Sequence, residues 1–111
     1  MTIQELIETK EFSEITIGDN LERIITTPFC CDLLSIAMSK APADSVWVTV
    51  MGNINTLAVA ALTDIACIIL AEGAVLDAAA LNKAKMQKIT VLSSDKPIFD
   101  VALRVYEQLH A

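Results

Sequence analysis

The sequence predicts an α/β fold, a single domain over residues 1–111 in which helices flank a parallel or mixed sheet. Three observations predict it. From Trp47 to Leu70 a β-branched run, a Gly-Asn turn, an Ala-rich segment and a second apolar run follow in order, which reads strand, turn, helix, strand. Apolar runs begin near residues 46, 65 and 89, a spacing suited to strand-helix units joined by right-handed crossovers. No linker or low-complexity stretch divides the chain. Short apolar runs bounded by turn residues suit strands that are covered on both faces.

Taken in order, Ile3, Leu6 and Ile7 lie at helical spacing, with Thr2 as N-cap and Glu5 three residues on completing a capping box. A short amphipathic helix is expected there. Residues 12–17 alternate in polarity and predict a strand ended by Gly18-Asp19-Asn20. Residues 21–27, centred on Ile24 and Ile25, predict a second strand bounded by Pro28. These elements form an N-terminal arm of about residues 1–27 ahead of a βα core at about 28–111. Asp32 is suited to cap a short helix containing Leu33, Leu34, Ile36, Ala37 and Met38, and residues 41–45 then form a loop. The core continues as strand 46–50, helix 55–62, strand 65–70, helix 77–87, strand 89–92 and a closing helix from about 96 to 109.

Composition narrows the function. Hydrophobic residues make up 54% of the chain and aromatic ones only 5%, so the core is aliphatic. A net charge of −6, with 8 scattered Lys and Arg, repels polyphosphate backbones, and no nucleic-acid partner is expected. Apolar runs fall short of the roughly 18–20 residues that span a bilayer. The start of the chain is acidic where a signal peptide is basic, so a cytoplasmic location with no membrane partner is expected. Cys30, Cys31 and Cys67 are an odd set with two adjacent members, and read as free thiols. The sole histidine is His110, too little for a metal site or a Cys-His pair. With glycine only at 18, 52 and 73 and no Gly-Lys dipeptide, neither a P-loop nor a dinucleotide turn can form. No catalytic residue and no cofactor are assigned.

The strings Asp32-Leu33-Leu34-Ser35 with Met38, Trp47-Val48-Thr49-Val50, Asn55-x-x-Ala58-Val59-Ala60, Ile68-Ile69-Leu70 and Gly73 resemble the DRTGG domain family. The resemblance runs over residues 27–109, about three quarters of the chain. It implies a fold like the N-terminal domain of HPr kinase/phosphorylase, and kinship with domains that accompany CBS modules in some inorganic pyrophosphatases and occur in bacterial phosphate acetyltransferases. In that company the domain is an accessory or regulatory module that self-associates, with adenine-nucleotide sensing mainly in the adjoining CBS modules. The contiguous Asp-Arg-Thr-Gly-Gly string is absent, and Ala71-Glu72-Gly73 stands at the corresponding turn with fewer hydroxyl and backbone donors. The expected function is therefore a non-catalytic, homodimeric regulatory or interaction module that senses a small anionic metabolite or nucleotide and acts on a partner enzyme. A purely structural dimerisation module without ligand is the alternative, and an enzyme of unrecognised type comes third.

Ligands of open parallel sheets collect beyond the carboxyl ends of the strands, where helix N-termini present unpaired N–H groups. That rule selects Thr49, Gly52, Asn53 and Asn55 after the first core strand, joined by Ser93 and Ser94 after the third, as candidate ligand-binding residues. Gly52 either admits a close ligand or simply makes the turn, and the asparagines either bind or cap. Asp32, Leu33, Leu34, Met38 and the single tryptophan, Trp47, are candidate interface residues, their alternative being ordinary core packing.

Overall fold

Thr2 accepts from the Glu5 main-chain N–H at 3.0 Å while Glu5 accepts from the Thr2 N–H at 2.8 Å, so the capping box forms and α1 runs Ile3–Glu8. The computed structural model describes every residue from Met1 to Ala111. After α1 come β1 (Ser13–Thr16), β2 (Pro28–Cys30), α2 (Leu34–Lys40), β3 (Val46–Thr49), α3 (Ile54–Thr63), β4 (Cys67–Leu70), α4 (Ala78–Gln87), β5 (Val91–Ser93) and α5 (Ile98–Leu109). The sheet is mixed. Its order is β1-β5-β4-β3-β2, with β2 to β5 parallel and β1 antiparallel to β5.

Every residue of β3 and β4 is buried, because both faces of the sheet are covered. Val46, Val48, Cys67, Ile69 and Leu92 point to one face, where they pack with Ile3 and Leu6 of α1 and Val101 and Val105 of α5. Their neighbours Trp47, Ile68, Leu70 and Val91 point to the other, against Ala37 of α2, Leu57 and Ala60 of α3 and Ala80 and Ala84 of α4. The alternation of strand side chains thus splits the core into two layers. Alanines on α3 and α4 let the helices approach the sheet and each other.

Three expectations are corrected. Residues 21–27 form no strand, only an isolated bridge between Thr2 and Ile24. The start of α1 takes up their main chain: Ile3 N–H donates to Arg23 O, Gln4 N–H to Leu21 O, and Ile25 N–H to Met1 O. Pro28 does not bound a strand but opens β2, an edge position where its missing N–H costs nothing. Asp32 does not cap α2, whose N-cap is Leu33 without any side-chain bond. It reaches instead to the end of β3.

Candidate functional site

The carboxyl end of β3 is held by that reach. One oxygen of Asp32 accepts from the Thr49 hydroxyl at 2.7 Å and from the Val50 N–H at 3.0 Å, and the Thr49 oxygen accepts in turn from Met51 N–H at 3.2 Å. Thr49 is fully buried, so the bond satisfies a hydroxyl that has no water to turn to. Asn53 caps α3 by accepting from Thr56 N–H at 3.1 Å, and Asn55 lies exposed in the first turn. The main-chain N–H groups of Ile54 and Asn55 find no acceptor within the protein. Gly52 answers the question its sequence left open, because a Cβ there would stand 2.0 Å from the Val75 carbonyl oxygen. The close neighbour is the protein's own chain.

Ser93 and Ser94 do not join this group. Between β3 and β5 lies the whole of β4, so the serines sit two strands from Thr49. They belong to a second locus, at the ends of β4 and β5. The helix after β4 packs on the face of α2 and α3 while the helix after β5 packs on the face of α1, and adjacent strands whose connections part in this way leave a crevice. A cleft of about 390 Å³ opens there, lined by Ser13, Gly73, Val75, Ser93, Ser94 and Lys96 among others. Its floor is largely closed by the chain: Glu72 N–H donates to Lys96 O at 2.8 Å, Gly73 N–H to Ser94 O at 3.0 Å, and Ser94 N–H to Leu70 O at 2.8 Å. The Ser94 hydroxyl accepts from Lys96 N–H at 3.1 Å. At the rim Glu11 pairs with Arg104 at 2.6 Å, which holds the Glu11 carboxyl below its ordinary range.

The interface candidates divide. Trp47 is fully buried and its indole N–H donates to the Cys31 carbonyl at 2.9 Å, so the ring is a core anchor that ties β3 to the end of β2; as an interface residue it is corrected. Leu33 and Met38 are exposed, Leu34 is half-buried against the core, and Asp32 is exposed. A larger apolar surface was missed. Phe99, Leu103 and Tyr106 lie exposed on α5 at i, i+4 and i+7, a spacing that was readable in the sequence as a second apolar face beside the buried Val101 and Val105.

The three thiols are separate groups. Cys67 is buried in β4, and burial pushes its thiol up to about 12. Burial raises Cys30 as well, helped by the nearby Asp32 carboxylate, and the Cys31 sulfur donates to Leu33 O at 3.2 Å. His110 stacks on Tyr106 with ring centres 4.1 Å apart. No three of the His, Cys, Asp and Glu side chains converge as a metal cluster, and no helix is long and apolar enough to cross a membrane. In comparisons with protein-family models and with curated proteins, nothing matches this chain.

Proposed function

We propose that this chain is a non-catalytic regulatory or interaction module of the DRTGG kind, homodimeric, which responds to a small anionic metabolite or nucleotide and acts on a partner enzyme. The observation that carries the reading is the division of labour on its surface. Polar groups at the strand ends are engaged with one another, Asp32 with Thr49 and Asn53 with Thr56, as fasteners of the fold. Phe99, Leu103 and Tyr106 on α5 and Leu33, Ile36 and Met38 at α2, by contrast, are large exposed side chains that the core does not use, Tyr106 meeting only the His110 ring. A protein that spends its polar groups on itself and its apolar ones on the surface is built to meet another surface.

The ligand is proposed at the start of α3, where Ile54 and Asn55 are exposed and their main-chain N–H groups find no acceptor within the protein, beside the capping Asn53. One observation favours the ligand-free alternative, a structural dimerisation module: the Asp32 carboxylate bonded to Val50 puts negative charge at the same end of β3. Thermal shift against nucleotides and phosphorylated metabolites separates the two, since a ligand at a hundred times its Kd stabilises by about 2.7 kcal/mol. A shift that Asn53→Ala with Asn55→Ala weakens, measured as affinity, supports the sensing module. No shift with any ligand from a chain that is dimeric leaves the structural module, and a monomer that binds nothing refutes both.

A further inference from the structure

We propose that the crevice between the carboxyl ends of β4 and β5 binds a small zwitterion, a free amino acid with an aliphatic side chain, whose carboxylate pairs with Lys96 and whose ammonium pairs with Asp95. This site is separate from the one proposed at the start of α3 and stands without it. The order of the strands selects the place. β2 to β5 follow one another across the sheet, and α2, α3 and α4 all pack on the same face. Only after β5 does the chain cross to the other face, as α5. The connections of neighbouring parallel strands therefore part at β4 and β5 and nowhere else, and in open sheets of this kind that is where ligands bind. The cleft of about 390 Å³ at this point shares Glu11, Ser94 and Lys96 with a second hollow of about 250 Å³. Ligand sites run from about 300 to 1,000 Å³, so the room suits a small metabolite better than a nucleotide.

The groups left over on its walls give the class of ligand. Glu11 and Arg104 neutralise each other. Asp95 and Lys96, both exposed and both lining the cleft, pair with nothing, since the ion pairs of the protein are those of Arg23 and Arg104. One free charge of each sign is what a zwitterion needs. A phosphate dianion would meet a single free lysine against Asp95, Asp100 and an overall charge of −6. A bare metal cation finds no three converging ligands. Ser13 of β1 and Ser93 of β5 stand in register on the same cleft, so their side chains are neighbours across the pair. Unlike the Ser94 hydroxyl, which accepts from Lys96 N–H, theirs bond to nothing in the protein. A hydroxyl donates to a carboxylate and accepts from an ammonium, so the two serve either end of an amino acid. Ile15, Ala74 and Val75 line the same cleft, and Val75 is 73% exposed, which gives an aliphatic side chain apolar surface to cover.

Isothermal titration of the full chain with each common L-amino acid tests the assignment. At least one aliphatic amino acid is expected to bind with a Kd in the micromolar to millimolar range. The amine and the carboxylic acid that correspond to its two halves are expected to bind about tenfold more weakly or worse. Lys96→Met and Asp95→Asn, each at an exposed side chain without a partner, are each expected to weaken binding by about tenfold or more, and Ser93→Ala is expected to weaken it less. Lys85→Met, which changes the net charge equally from the last turn of α4, is expected to bind as the wild type does. No binding by any amino acid at millimolar concentration overturns this site and leaves the reading of α3 standing. Binding that Lys96→Met and Asp95→Asn leave intact overturns it, as does a single-charge analogue that binds as tightly as the amino acid. Phosphorylated metabolites that displace the amino acid and lose affinity in Lys96→Met would make this an anion site and overturn the zwitterion. Should either variant lose its helical circular dichroism, the comparison of the amino acid with its single-charge analogues on the wild type decides.

Discussion

Replacing Arg23 by methionine should be among the costliest single changes outside the core. Its guanidinium sits at the amino ends of β3 and β4, bonded through Nε to the Asp44 carboxylate and through one terminal nitrogen to both the carboxylate and the carbonyl of Asp64, the carboxylate at 2.9 Å. The Arg23 side chain is only 19% exposed. Asp44 N–H donates to Asp64 O and Thr26 N–H to Asp44 O, so the arginine closes a junction between the arm and two loops of the core. Methionine keeps the packing of the stem and removes the charge and the fork. A hydrogen bond to a charged group contributes about 1.5–3 kcal/mol when shielded and an exposed ion pair about 0.2–1 kcal/mol, so the half-buried Asp44 bond and the exposed Asp64 pair together come to roughly 2–3 kcal/mol. At about 2.1 cal/mol/K of unfolding entropy per residue, the 111 residues give roughly 0.23 kcal/mol/K and a fall in Tm of about 10 °C. Thermal and urea unfolding followed by circular dichroism measure it. Arg104→Met, which breaks the exposed pair with Glu11, should lower Tm far less, because solvent screens that pair. Equal losses for the two arginines, or a fall below about 3 °C for Arg23→Met, would refute the reasoning that shielding separates them.

Asp32→Ala should cost about 1–2 kcal/mol by stranding the buried Thr49 hydroxyl, and Asp32→Asn, which keeps an acceptor, should cost less; urea midpoints at constant slope decide it. Gly52→Ala should destabilise by about 3 kcal/mol or more, because the added Cβ meets the backbone oxygen of Val75 rather than a side chain that could swing away. An aromatic disulfide reagent at mildly alkaline pH should titrate Cys30 and Cys31 in the native protein and Cys67 only on unfolding; rapid reaction of all three would contradict its burial. Glu5 and Glu11 are held below their ordinary 4.5 by the Thr2 cap and by Arg104. Each then contributes stability that is fully present above the unfolded value and is lost as pH falls through the lower folded value. Glu11→Gln should accordingly flatten the acid side of the stability curve and leave the neutral side with the same slope.

What was legible in the chain, and what was not, follows from the range of the forces involved. The strands 46–49 and 67–70 were readable because burial on both faces leaves an unbroken apolar run, and α1 because a capping box is a bond between residues three apart. Residues 21–27 misled because the outward Ile24 and inward Ile25 show alternation without showing whether any strand lies alongside, and here the start of α1 does. Asp32 misled for a related reason: a carboxylate ahead of a helix has a local use, and its true partner, Thr49, is 17 residues away. The candidate site suffered most, since grouping Ser93 and Ser94 with Thr49 required the strand order, and spacing along the chain does not say that β4 intervenes. Gly52 teaches the same lesson about glycine itself. A missing Cβ records that something comes close, and at Gly52 that something is the carbonyl of Val75. The apolar flank of α5 is the opposite case, a signal local enough to read and passed over because Val101 and Val105 already explained the helix. Phe99, Leu103 and Tyr106 recur at i, i+4 and i+7 on the exposed side of the helix, so the second face follows from the same periodicity that buries Val101 and Val105 on the first.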